Sequence, residues 1–204
     1  MTPLQAMYGL WDAWFASWIL AALWSARASA RPAVWSEAWR DALGLAGAVI
    51  VFSFSAPEAG FGEVFLARVH AVLLTAMWMI PTPVAWGLVG LTGAGFAFCW
   101  WARLHLGPLW SGFVGRKAQH RVVETGPYHL VRHPIYTGIL TALLAMAVLK
   151  GTAEAILGLA LVIAGLWLKA RLEERFLRAE LGAEAYDAYS RRTPMLVPFA
   201  PRIE

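Results

Sequence analysis

The stretch Gly126–Gly138, GPYHLVRHPIYTG, stands directly before a long apolar run. It sets Arg132, His133 and two prolines at the mouth of a hydrophobic segment. Pro134 suits the first turn of a helix, where its missing N–H leaves nothing unsatisfied. The residue before a proline is pushed out of the α region, so His133 is expected in an extended backbone ahead of that helix. The helix then offers unsatisfied N–H groups and the positive end of its dipole. Gly126-Pro127 supplies a turn on the upstream side. Together these features predict a pocket at a helix N-terminus, lined by Tyr128, Arg132, His133 and Tyr136 and suited to a carboxylate or phosphate. Two plainer accounts compete with that one. Arg132 serves equally well as a positive anchor beside a membrane, and His133 as an ordinary hydrogen-bonded interfacial residue. Zinc binding by His129 and His133 would need a continuous helix, which Pro134 interrupts, and beside His120 no cysteine or carboxylate completes a usual set.

Outward from this stretch, the composition points to an integral membrane protein. The 204 residues are 59% hydrophobic and 15% charged, whereas a soluble domain averages about 25% charged residues. Cys99 is the single cysteine, which excludes an internal disulfide and reads as a small buried residue. The net charge of +4 fits loops facing anionic lipid better than nucleic-acid binding, since no basic block carries interleaved aromatics. The apolar N-terminal stretch lacks a basic n-region and a cleavage site, and reads as a retained span.

A helix crosses the hydrocarbon core with roughly 20 apolar residues. On that measure the chain is all-α, a polytopic bundle of about six transmembrane helices. They are expected near Met7–Trp24, Ala42–Ala56, Val64–Ile80, Val84–Trp101, Ile135–Leu149 and Ala153–Leu168. The last two form a hairpin turned at Lys150-Gly151-Thr152. After Leu168 the sequence KARLEERFLRAEL stays helical in character, so the sixth helix should run on into the cytosol as a charged tail. Lys and Arg are richest in Arg103–Arg132 and after Leu168, which places both segments on the cytoplasmic side. Six spans then put the N-terminus there too, although Arg27, Arg31 and Arg40 would face outward. Trp35, Trp39, Trp78, Trp86, Trp100 and Trp101 lie near expected helix ends, as in an interfacial belt.

Glu173-Glu174 is the second chemical element. Helical spacing offers Lys169 to Glu173 and Arg178 to Glu174, a solvated salt-bridged face. The hairpin offers an alternative, because it returns the end of the sixth helix to the start of the fifth. Glu173 and Glu174 would then lie near Arg132 and His133, and could bind an ammonium, ribose hydroxyls or a sulfonium.

The succession GPYHLVRHPIYTG, EERFLRAELGAEAYDAY and RRTPMLVP resembles the isoprenylcysteine carboxyl methyltransferase family and, more widely, the phospholipid N-methyltransferases. The resemblance covers His105 to Pro198. It implies S-adenosylmethionine as cofactor, held at the cytoplasmic face by residues 103–204, with residues 1–102 as the lipid-facing and acceptor-facing part. Carried over by matching positions, the cofactor site is His120, Gly126, Tyr128, Arg132, His133, Pro134, Tyr136, Glu173 and Glu174, with Arg132, Glu173 and Glu174 as catalytic candidates. The implied acceptor is lipophilic and enters from the bilayer. The first reading is carboxyl O-methylation of an isoprenylcysteine-like substrate, the second N-methylation of a phospholipid amine. The glycine fingerprint of soluble dinucleotide-type folds is absent from the sequence.

Two other classes remain to be weighed. Sterol-reductase-type enzymes that use NADPH are similar over the same hairpin and tail, but have more spans. A small transporter or assembly factor would instead work through Asp12, Arg68 and His70, which sit within apolar runs.

Overall fold

The structure is a computed structural model in which residues 1–22, 34–52, 75–107 and 123–200 are described. Seven helices are formed by these residues: α1 (Pro3–Ala22), α2 (Val34–Phe52), α3 (Thr82–Leu106), α4 (Pro127–Leu130), α5 (Pro134–Lys150), α6 (Ala153–Leu181) and α7 (Ala183–Arg192). No strand occurs among the described residues; one isolated bridge joins Ala76 to Thr152. The all-α expectation therefore holds.

The hairpin turns where the sequence places it. Gly151 ends α5 in the left-handed region (φ 62°, ψ 24°) and its N–H donates to the Ala147 carbonyl, a conformation that glycine adopts without strain. Thr152 then caps α6, its hydroxyl accepting from the Ala155 N–H at 3.2 Å. The Trp78 ring lies over this turn, and its Nε1 donates to the Val148 carbonyl at 2.9 Å.

Two close crossings assemble the bundle. Gly95 on α3 meets Gly138 on α5, and Gly47 on α2 meets Gly158 on α6. A Cβ on Gly95 would lie 2.7 Å from the Gly138 carbonyl oxygen, and one on Gly47 would lie 2.7 Å from that of Gly158. Small residues let apolar helices approach backbone to backbone where water supplies no driving force. We expect Gly138→Ala to destabilise the protein by about 1–3 kcal/mol, because the new methyl meets the Gly95 carbonyl and the Cys99 sulfur. Gly90→Ala on α3, where nothing lies within 4 Å, is the control. Thermal unfolding in detergent reads both, and equal melting temperatures would refute the crossing.

α1 joins through aromatic rings. Trp11 packs edge-on to Phe96 at 4.8 Å and to Phe52 at 4.9 Å, and Trp14 stacks on Phe96 at 5.0 Å. Trp100, expected at an interface, turns inward: it meets Trp18 at 5.6 Å and donates to Ser17 Oγ at 3.3 Å. Trp78, Trp86 and Trp101 keep substantial exposure. The side chains of Trp35 and Trp39 lie outside the described residues.

Helix directions differ from the expected alternation. Thr92 meets Met7, Trp100 meets Ser17 and Arg103 meets Ala21, so α1 and α3 run parallel. Asp41 meets Lys169, and the Val51 carbonyl accepts from Lys150, so α2 runs antiparallel to α6. Hence α1, α3 and α6 run toward one end of the bundle, the end where α5 starts, and α2 and α5 run away from it. Most of the third expected span, Val64–Ile80, lies outside the described residues. Its last part, 75–80, is not helical, and it sits at the hairpin-turn end. Two expectations are thereby corrected. The start of α1 lies at the end away from the Arg132 stretch. Ala22 and Val34 both lie at the Arg132 end, so the connection carrying Arg27 and Arg31 begins and ends there.

α3 and α6 are long and apolar enough to cross a membrane. α6 has 29 residues, or ~43 Å at the helical rise. That exceeds a hydrocarbon core of about 30 Å, and the sixth helix continues past Leu168 as expected. α5 has 17 residues, at ~25 Å short of the core on its own. Ile19, Leu45, Val49, Leu144, Leu157 and Ile163 are exposed on the outside of the bundle, an arrangement suited to lipid rather than water.

Arg103 departs from the loop role its charge implies. It is fully buried; Nη1 donates to the Gly107 carbonyl at 2.7 Å and Nη2 to the Ala21 carbonyl at 2.9 Å. A cation there meets the negative ends of α1 and α3 together.

Candidate functional site

The Arg132 stretch folds as its prolines dictate. Gly126 takes φ 59° and ψ −132° to open the one-turn α4. A Cβ at Gly126 would lie 2.8 Å from the His105 ring, so glycine is required by backbone and by space alike. Val131 is extended, His133 sits outside the helix at φ −123°, and Pro134 occupies the first turn of α5. His133 is kept out of the helix as expected, but with ψ 65° it is not extended; the extended residue is Val131.

Because α6 is antiparallel to α5, its extension past Leu168 passes this stretch. Glu173 and Glu174 turn inward rather than along a solvated face. Lys169 pairs with Asp41 at 3.1 Å and Arg178 with Asp187 at 2.8 Å, not with the glutamates. Glu174 Oε1 accepts from Arg132 Nε at 2.7 Å and lies 3.3 Å from His133 Nε2. Glu173 Oε2 lies 3.3 Å from His133 Nδ1, and Glu173 Oε1 accepts from the Tyr136 hydroxyl at 2.5 Å. The His133 and Tyr136 rings stack in parallel at 5.4 Å. Arg132 and Glu174 side chains are 12% and 13% exposed, and Glu173, at 21%, is the more open carboxylate.

His133 thus has a different carboxylate at each ring nitrogen. Burial alone would lower its pKa, but hydrogen bonds to Glu173 and Glu174 outweigh burial and raise it above the ordinary value. Only the imidazolium can donate from both nitrogens.

The C-terminal segment closes the far side. Backbone N–H groups of Arg132 and His133 donate to the carbonyls of Pro194 and Met195 at 2.9 and 3.1 Å. Arg132 Nη1 donates to the carbonyls of Ser190 and Thr193, at 2.9 and 2.5 Å, and so caps the C-terminal end of α7. Thr137 donates to the Leu196 carbonyl at 2.6 Å. Tyr189 donates to the Tyr128 carbonyl at 2.7 Å. Burial raises the pKa values of Tyr128 and Tyr189 and keeps both phenols neutral.

Among the residues singled out in the sequence, Arg132, His133, Tyr136, Glu173 and Glu174 form one bonded cluster. Gly126, Tyr128 and Pro134 shape its wall; Tyr128 is buried with its ring 6.3 Å from that of His105. His120 lies outside the described residues. Arg132 spends its hydrogen bonds on Glu174 and the tail, so it is a positioning residue rather than an open anion receptor. Ser190, Thr193, Met195, Leu196 and Tyr189 were not singled out. Thr193, Met195 and Leu196 belong to the RRTPMLVP end and Tyr189 closes AEAYDAY; the backbone carbonyls used at 190–196 are encoded by no side-chain pattern. Arg192 is paired with Glu124 at 2.7 Å.

Glu174 is taken up by Arg132 and His133, whereas Glu173 keeps exposed oxygen able to accept from a ligand's hydroxyl or ammonium groups. An aromatic ring, Tyr136, lies beside Glu173.

Residues 88–179 match the model of the isoprenylcysteine carboxyl methyltransferase (ICMT) family. The chain is 33% identical over 153 residues to Methanethiol S-methyltransferase 2 of Bradyrhizobium diazoefficiens, covering 66% of this chain and 58% of that protein. It is 28% identical over 123 residues to the Cobalt-zinc-cadmium resistance protein CzcN of Cupriavidus metallidurans, covering 59% and 51%. The chain therefore spans little more than half the length of these relatives.

Proposed function

From the match of residues 88–179 to the model of the ICMT family, we propose that this chain is an integral membrane methyltransferase that uses S-adenosylmethionine. The observation that carries the reading is the cluster of Glu173, Glu174, His133 and Tyr136 at the start of α5. Bound there, S-adenosylmethionine would supply a methyl group on a cationic sulfur, open to in-line attack. Glu173, the more exposed carboxylate, would accept from the ribose hydroxyls or the ammonium. Glu174, tied to Arg132 and His133, would hold Glu173's surroundings in place. Tyr136 would fix the orientation of Glu173. Gly126, Tyr128 and Pro134 complete the proposed cofactor wall. Much of the rate would come from holding the partners aligned and dry.

The same charges argue against NADPH, whose phosphates would meet two carboxylates and an arginine already engaged. Lys150 is the sole Lys or Arg at the hairpin-turn end among the described residues, and it bonds inward to Val51 and Glu154. The other described Lys and Arg gather at the cluster's end, which favours that end as cytoplasmic in a multi-pass protein. Residues 103–204 hold the cofactor in this reading, and residues 1–102 face lipid and acceptor.

The acceptor we favour is a lipophilic carboxylate of the isoprenylcysteine type, already ionised at neutral pH and in need of no base. A small thiol is the second reading, favoured by the similarity to Methanethiol S-methyltransferase 2. Adenosylhomocysteine should raise the melting temperature of the detergent-purified protein, since a ligand that binds only the native state stabilises it, by about 2.7 kcal/mol at a hundredfold excess over Kd. NADPH should not. Stabilisation by NADPH and none by adenosylhomocysteine would overturn the reading. Labelled cofactor offered with farnesylcysteine-type carboxylates, phospholipid amines and small thiols then separates the acceptors.

A further inference from the structure

Four cations follow Leu168 on α6: Lys169, Arg171, Arg175 and Arg178. Lys169 reaches Asp41, and Arg178 is held by both oxygens of Asp187. Arg171 and Arg175 are exposed, one helical turn apart, and have no carboxylate partner among the described residues. They line a shallow pocket of about 120 Å³ with Trp167, Leu168 and Leu172. The Arg171 guanidinium lies 5.5 Å from the centroid of the Trp167 ring. Residues turn by ~100° each along a helix, so Glu173 projects from nearly the opposite side of α6 to Arg171, while Glu174 lies about 60° from it. Neither glutamate lines the pocket, and neither do Arg132, His133 and Tyr136.

We propose that this pocket binds the phosphate of an anionic membrane phospholipid. Its place in the chain supports a lipid over a free anion. The apolar stretch of α6 ends at Leu168, so the pocket straddles the boundary between hydrocarbon and headgroup. Leu168 and Leu172 form a floor for the first part of an acyl chain, which a free phosphate would leave uncovered. Trp167 sits where aromatic side chains settle at that boundary. Two guanidinium groups one turn apart suit the oxygens of a phosphodiester, and a headgroup such as that of phosphatidylglycerol carries no ammonium to repel them.

The test is lipid retention in native mass spectrometry of the detergent-purified chain, offered phosphatidylglycerol or phosphatidylcholine of equal chain length. We expect phosphatidylglycerol to be retained at least tenfold better, and inorganic phosphate at the same concentration not to displace it. In the Arg171→Gln/Arg175→Gln double variant that preference should vanish. Equal retention of the two lipids by the unmodified chain would overturn the proposal whether or not the variant folds. So would an undiminished preference in the variant, or displacement by inorganic phosphate, which would mark a simple anion site.

Discussion

Replacing Arg132 with alanine should destabilise the protein by about 3–5 kcal/mol, the cost of leaving a buried carboxylate without its partner. Glu174 would keep only His133, at 3.3 Å. The carbonyls of Ser190 and Thr193 would lose their donor, and with it the cap on α7. Residues 190–196 should loosen first, because beyond their local bonds they would keep the backbone pairs to Arg132 and His133, the Thr137 bond and the exposed Arg192–Glu124 pair. Hydrogen exchange across Tyr186–Leu196 and thermal unfolding in detergent measure both effects. Arg132→Lys should recover little of the loss, since an ammonium cannot serve Glu174 and two carbonyls with the geometry of a guanidinium. Glu173→Gln makes the contrast: it should preserve melting behaviour closely while weakening stabilisation by adenosylhomocysteine. An Arg132→Ala protein with unchanged melting temperature and exchange would show that the cluster does not hold the tail.

Affinity for S-adenosylmethionine should climb with pH, by up to about tenfold per unit for one linked proton. In the unliganded cluster His133, held between Glu173 and Glu174, has a raised pKa, set by hydrogen bonds to both that outweigh burial. The groups facing it are Arg132, Glu173, Glu174 and the Tyr136 ring. Protonated, it cancels with Arg132 the two carboxylate charges, and a cationic ligand finds no net attraction. Binding beside Glu173 then favours loss of the His133 proton. Affinity therefore rises as pH climbs from the ordinary histidine value of about 6.5 through the raised value. Calorimetry in two buffers of different ionisation enthalpy should count proton release approaching one. Adenosylhomocysteine, which lacks the sulfonium charge, should show a weaker dependence. Folding responds with the opposite sign. A raised pKa contributes stability that is fully present below about 6.5 and is lost as pH rises through the folded-state value. The unliganded protein should thus lose melting temperature across that range, and His133→Asn should flatten the loss. At saturating cofactor, transfer to a carboxylate should stay nearly flat from about pH 6 to 8, because carboxyls titrate near 4. If binding of both ligands proves independent of pH, His133 does not titrate with occupancy.

Much of the cluster was legible before any coordinates. Pro134 requires a helix start, and it forces His133 out of that helix. Gly151 ends α5 and Thr152 starts α6, so the hairpin follows from two residues. Once the hairpin exists, Glu173 and Glu174 must return to the level of Arg132. Less legible was which partner each charge would take. Spacing along α6 offered Lys169 to Glu173 and Arg178 to Glu174, but Asp41 on α2 and Asp187 on α7 took those cations. Contacts within one helix are weak, and tertiary partners displaced them.

Local chemistry along the chain determined the all-α class, the bends at Gly126 and Gly151, the helix start at Pro134 and the long charged extension of α6. These depend on steric limits and hydropathy within a few residues. The tertiary structure alone decided the direction of α1 and α2, since apolar length says that a segment crosses but not which way. It decided the two glycine crossings, which depend on where separate helices touch. It also turned Arg132 from an anion receptor into the brace of the C-terminal tail, because a guanidinium bonds the acceptors folding brings to it, and backbone carbonyls at 190 and 193 leave no trace in a pattern of side chains.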